Sequence, residues 1–180
     1  MSLLVLIGKS ASGKDTIANK LVDEYGYKRL VTYTTRPMRQ NEVQDVTYHF
    51  ISEDDFKEKI DSGFFLEYRK YLTEQGIWFY GSAKKDYELD EKHISILTPE
   101  GVQSLQSKGI NPIVIYIYAN QQTIKDRLAK RGDDKDEAER RMKADNVDFR
   151  GAEMLANRII YNNEGKELSE VINEVLKWGD

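Results

Sequence analysis

The 180-residue chain has no cysteine, two histidines, three prolines and no surplus of basic charge. Without cysteine there are no disulfides, no thiolate nucleophile and no Cys-ligated zinc, a usage that fits a reducing compartment. Its 27 Lys+Arg stand against 31 Asp+Glu, a formal charge of −4, so any anion site must be built locally. The longest uninterrupted apolar run, Ile113–Ala119, falls far short of the roughly 20 residues needed to span a bilayer. The N-terminus lacks the basic segment and cleavage site of a secretion signal. These absences lead us to expect one cytoplasmic domain with neither membrane nor nucleic acid as a partner, its oligomeric state unread.

Leu3–Ile7 is a continuous apolar run ending at Gly8, the pattern of a strand buried on both faces. Apolar residues then recur at helical spacing through Asp15–Tyr25, and Leu30-Val31 suggests a second strand. Aromatics crowd the next stretch around a helix expected over Glu53–Ile60, capped by Ser52 and followed by Gly63. An α/β alternation resumes with strand His93–Leu97, helix Pro99–Lys108, strand Ile113–Tyr118 and helix Gln122–Lys130. It ends with strand Arg158–Tyr161 and helix Glu167–Lys177. The expected fold class is α/β: a parallel sheet of P-loop NTPase type with helices on both faces. The core would hold 1–33 and 83–180, an inserted α+β acceptor-binding subdomain about 34–82, and an Arg-rich segment about 131–150 either a solvated helix or a lid.

Gly8-Lys9-Ser10-Ala11-Ser12-Gly13-Lys14 has the G-x-x-x-x-G-K spacing of a phosphate loop, between a buried strand and an amphipathic helix. Its N–H groups and the helix N-terminus would converge on the phosphates of ATP, with Lys14 reaching the β and γ groups. The residue after the lysine, usually Ser or Thr for Mg²⁺, is Asp15, with Thr16 next. Further on, Arg36 and Arg39 flank Pro37-Met38, and planar guanidinium forks match phosphate oxygens. Tyr48 and Tyr80 add phenolic donors suited to a monophosphate.

With these residues the sequence resembles the guanylate kinases. The resemblance rests on the phosphate loop, Thr34-Thr35-Arg36-Pro37-Met38-Arg39, Tyr48-His49-Phe50-Ile51-Ser52, Gly63-Phe64-Phe65-Leu66-Glu67, Tyr80-Gly81-Ser82, Arg127-Leu128, Arg131-Gly132 and Ile160-Tyr161-Asn162-Asn163. It implies that Arg36, Arg39, Tyr48 and Tyr80 hold the acceptor's phosphate, and that Glu67, Thr32 and Ser82 contact guanine. Arg131 and Arg141 would serve the ATP side, and Asn162 the region of the adenine. Together with Lys14, the charge-spreading set is Arg36, Arg131 and Arg141. Glu67 alone reads as a surface residue; in the family position it accepts the two guanine donors, N1–H and the exocyclic amine, that adenine lacks.

Two aspartates of the resembled pattern are missing: Ile96 and Thr98 stand there, with no acid until Glu100. Asp15 or Glu100 is the expected substitute near Mg²⁺, directly or through water, and Thr98 is left beside the acceptor nucleoside. An extra stretch around Leu72–Gln75 lies near the acceptor pocket. The expected reaction is γ-phosphoryl transfer from ATP to GMP or dGMP. The alternatives are a phage-type deoxynucleotide kinase, a ribose 1,5-bisphosphate kinase, or a noncatalytic guanylate-kinase-like module for which the missing aspartates speak.

Overall fold

A computed structural model describes residues 3–40, 42–73, 75–88 and 91–179. The chain opens with β1 (Leu3–Ile7), α1 (Lys14–Tyr25), β2 (Lys28–Arg29), β3 (Tyr33–Thr34), β4 (His49–Phe50) and α2 (Glu53–Asp61). Next come β5 (Phe65–Thr73), β6 (Gly76–Ala83), a 3-10 turn at Lys84–Tyr87, β7 (His93–Ile96) and α3 (Pro99–Ser107). β8 (Ile113–Tyr118), α4 (Gln121–Arg131), α5 (Lys135–Asp148), a 3-10 turn at Ala152–Leu155, β9 (Arg158–Tyr161) and α6 (Leu168–Gly179) complete it. No helix of the described residues is long and apolar enough to cross a membrane.

The contacts divide the chain into two compact units, Met1–Arg29 with Glu91–Asp180, and Leu30–Asp90. The second extends beyond the 34–82 stretch on both sides. In the first unit a five-stranded sheet runs β2-β7-β1-β8-β9, every pair parallel. All five residues of β1 are buried, which is why the strand reads as continuously apolar rather than alternating. Leu4 and Leu6 pack with Ile17 and Leu21 of α1, Ile115 and Ile117 of β8, and Val171 and Val175 of α6. The strand expected at Leu30-Val31 lies instead at Lys28–Arg29, where the backbone pairs with His93 and Ile94. Register with β7, not hydropathy, sets that position.

The second unit holds a four-stranded sheet ordered β4-β3-β6-β5. β3 pairs parallel with β4 and antiparallel with β6, and the β5–β6 pair is antiparallel. Ser52 caps α2 by accepting from the Asp55 N–H at 3.0 Å. Phe56 of α2 stacks on Phe65 at 4.4 Å and lies 5.3 Å from Phe79, forming this unit's small core. The β5–β6 register shifts between Phe65 and Glu67. Two positions apart on a regular strand they would share a face; the bulge lets Phe65 enter the core while Glu67 meets Ser82. Of the extra stretch, Leu72 is exposed at the end of β5, and Glu74 lies outside the described residues.

Candidate active site

The loop Gly8–Lys14 joins β1 to α1 through backbone that only small residues permit. A Cβ on Gly8 would lie 2.4 Å from the Ile117 carbonyl oxygen. Gly13 sits at φ 99°, where a Cβ would come 2.4 Å from Asn162 Nδ2. Ala11 also adopts a left-handed conformation, at φ 58°. Lys14 Nζ folds back to donate to the Lys9 carbonyl at 2.9 Å, with Ser12 Oγ at 3.4 Å. Burial holds the Lys14 pKa below its usual value and Arg131 adds to the depression, against the opposing pull of Asp15 and Asp145.

The loop is braced through its carbonyls. Asn162 donates to Ser12 O at 2.8 Å, and Arg127 donates to Ala11 O at 3.1 Å and to Asn162 O at 2.9 Å. With two carbonyls tied back, the loop's curvature is held by the surrounding fold. Two loop amides are taken: Ser10 N–H donates to Asp145 Oδ2 of α5 at 2.7 Å and Ser12 N–H to the Lys9 carbonyl at 3.1 Å, while Lys9 Nζ donates to Asn146 Oδ1 at 2.6 Å. A cavity of about 210 Å³ opens here, lined in part by Lys9, Ala119, Met142 and Asp145.

The arginines expected on the ATP side share one carboxylate. Arg131 grips Asp133 at 2.5 and 2.6 Å, and Arg141 Nη1 reaches the same group at 3.0 Å while its Nε pairs with Glu137 at 2.8 Å. The Arg140 hydrogen bonds, opposed by partial burial and reinforced by Arg141, pull the Glu137 pKa down to about 2. Asp15 lies in the first turn of α1, exposed, and accepts from Arg29 Nη2 at 2.9 Å. Glu100 opens α3, and Thr98 caps that helix by accepting from the Gly101 N–H at 3.2 Å. Burial raises the Asp148 carboxyl, with Asp145 and Glu100 adding like-charge repulsion, so these three acids share one neighbourhood.

In the second unit Arg36 is buried at 4% exposure, its fork doubly paired with Glu42 at 2.6 and 3.0 Å. Its guanidinium lies 5.5 Å from the Tyr48 ring centre and 5.6 Å from that of Phe50. The Arg39 N–H donates to the same Glu42 carboxylate at 2.8 Å. Burial opposes the charged form of Glu42, but hydrogen bonds from Arg36 and Arg39 outweigh it and hold its pKa below the ordinary value. Tyr48 and Tyr80 approach edge to face at 6.0 Å, so Arg36, Tyr48 and Tyr80 form one group. Thr32 is half-buried, its carbonyl accepting from His49 N at 2.9 Å. Glu67, 4% exposed, accepts from Ser82 Oγ at 2.6 Å.

The whole chain also bears comparison with known proteins: residues 1–178 match the family described as guanylate kinase. The chain belongs to the guanylate kinase family. It is 28% identical over 183 aligned positions to the guanylate kinase of Chlamydia caviae, covering 97% of this chain and 86% of that one. To the guanylate kinase of Helicobacter pylori it is 30% identical, covering 98% and 86%. The crystal structure of the guanylate kinase from Anaplasma phagocytophilum aligns with a TM-score of 0.69 over 98% of this chain and 82% of that one. At 19% identity that likeness shows the shared fold.

For this guanylate kinase family member, several residues of the candidate site escape sequence reasoning. Arg127 marked only the Arg-Leu pair, although it braces the loop. Asp133, Glu42 and Asp145 are ordinary acids in a chain that has 31 of them, and only the fold brings each to its partner. Arg69 and Tyr87 join Glu67 through the β5–β6 pairing and the turn that follows.

Proposed function

We propose that this protein transfers the γ-phosphoryl group of ATP to a guanosine monophosphate, yielding ADP and the guanosine diphosphate. The observation that carries this is Glu67: a buried carboxylate with Ser82 on Oε1 and no hydrogen-bond donor on Oε2 among the described residues. An acceptor buried without a donor is costly, and guanine's N1–H and exocyclic amine supply the missing donors.

Loop N–H groups and Lys14 hold the β and γ phosphates, while Arg131 and Arg141, held by Asp133, spread the charge of the transferring group. Arg36, Arg39, Tyr48 and Tyr80 hold the acceptor's phosphate. Glu42 now fills the Arg36 fork much as a phosphate would. Thr32 and Ser82 join Glu67 at the base, and Asn162 supports the nucleotide through the loop. An acceptor phosphate oxygen attacks the γ-phosphorus in line as the bond to ADP's β-phosphate oxygen breaks. Neither a covalent enzyme intermediate nor a general base is required, so His49 and His93 are left to structure.

Among the described residues no three acidic or histidine side chains converge to ligate an ion directly. That suits a magnesium ion bound mainly by phosphates and water, with Asp15 and Glu100 as outer contacts. When bound, it supplies neutralisation of phosphate charge. The retained Lys14, Arg131 and Arg141 weigh against a noncatalytic module, despite Ile96 and Thr98.

An acceptor screen with ATP and magnesium tests the reading, comparing GMP, dGMP, AMP and dTMP by ADP release. Turnover with GMP or dGMP, lost in Lys14→Ala, is expected. Turnover with dTMP and none with either guanine nucleotide contradicts it.

A further inference from the structure

Glu67 has a cation beside it. β5 sets Glu67 and Arg69 two residues apart on one face, and Arg69 Nε lies 3.5 Å from Glu67 Oε2 with both side chains buried. The cross-strand partner of Glu67 is Ser82 and that of Arg69 is Tyr80, so the guanidinium stands between the base end and the phosphate end of this face. Tyr87 closes the cluster. Its hydroxyl is buried with no hydrogen-bond partner among the described residues, and burial pushes its pKa up to about 12, with Glu67 adding to the rise and Ser82 and Arg69 opposing it. It therefore stays a neutral donor near neutral pH.

Stability alone does not account for this pair. A buried ion pair contributes little net stability, and apolar replacement often serves as well. Recognition does. A lone carboxylate only accepts, whereas Glu67 with Arg69 presents an acceptor and a donor side by side. Guanine's edge has the matching order, with the O6 acceptor next to the N1–H and amine donors. A 6-amino group in place of O6 would turn donors against the guanidinium and leave buried groups unmatched.

We propose that Arg69 is a specificity-determining residue of the acceptor site, donating to the 6-oxo group of a purine while Glu67 accepts its N1–H and 2-amino donors. This rests on reading Glu67 as the base contact.

The test uses the full chain with Arg69→Met and Arg69→Lys. kcat/KM is measured for GMP and IMP, with competitive inhibition by 2-aminopurine nucleoside monophosphate, which keeps the amine and lacks the oxo group. Arg69→Met should lower kcat/KM for GMP and IMP alike by about ten- to hundredfold. The inhibition constant of the 2-aminopurine nucleotide should move less than about threefold, and Arg69→Lys should restore part of the loss. Equal losses across all three nucleotides would overturn the role of Arg69 while the guanine reading stands. Wild-type protein inactive with every guanine nucleotide would remove both. Should Arg69→Met fail to fold around an uncompensated Glu67, the double variant Glu67→Gln/Arg69→Met removes both charges. Compared with Glu67→Gln alone, it should lose about tenfold in GMP affinity and less than about threefold in 2-aminopurine nucleotide affinity, and equal losses for the two would overturn the proposal.

Discussion

The Asp145 carboxylate accepts the Ser10 N–H at 2.7 Å, so α5 sets an anion on the backbone of the phosphate loop. Charge-assisted hydrogen bonds of this kind are worth about 1.5–3 kcal/mol, and a phosphate oxygen arriving at Ser10 must displace one. Asp145→Ala should therefore bind ATP about ten- to hundredfold more tightly, measured by calorimetric titration. Weaker binding would show that Asp145 supports the nucleotide rather than competing with it.

The depressed Lys14 pKa has a defined sign. Only the charged amine attracts phosphate, and burial makes it lose its proton at lower pH than an ordinary lysine. ATP affinity should thus fall as pH rises toward the usual lysine range, starting below about pH 10.4. Lys14→Arg, charged throughout, should show a flat profile in the same titration. Identical profiles for the two proteins would contradict the assignment.

Asn162 and Arg127 act on the loop from beneath, through the Ser12 and Ala11 carbonyls. Asn162→Ala should cost about 1–2 kcal/mol of stability by chemical denaturation, the range for a lost buried hydrogen bond. It should also weaken ATP binding about tenfold, with Arg127→Met moving both in the same direction. Unchanged ATP affinity in both variants would mean that the loop holds its shape unaided.

Gly81 lies between the proposed site residues Tyr80 and Ser82, and a Cβ there would come within 2.9 Å of the Phe56 and Phe65 rings. Gly81→Ala should overpack this small core and cost about 1–3 kcal/mol, read from the denaturation midpoint. A neutral result would show that the rings can move aside.

Residues that interact along the chain were legible before the fold was known. The spacing from Gly8 to Lys14, the uninterrupted Leu3–Ile7 strand and the Ser52 cap each depend on neighbours within a few positions. What could not be read depends on pairing across long separations. The second strand forms at Lys28 and Arg29 rather than at the apolar Leu30-Val31 because β7 selects it by register. The bulge after Phe65, which turns Glu67 from the core face to the site, leaves no mark in hydropathy. Asp145 meets Ser10 from 135 residues away, and neither residue type announces the contact.

The central claim is phosphoryl transfer between two nucleotides, and phosphorus NMR of the protein mixed with ATP, magnesium and GMP follows it directly. ADP and GDP signals should grow together as ATP is consumed, and both should be absent with Lys14→Ala. ADP appearing with inorganic phosphate and no GDP, or ATP left intact, would contradict the account.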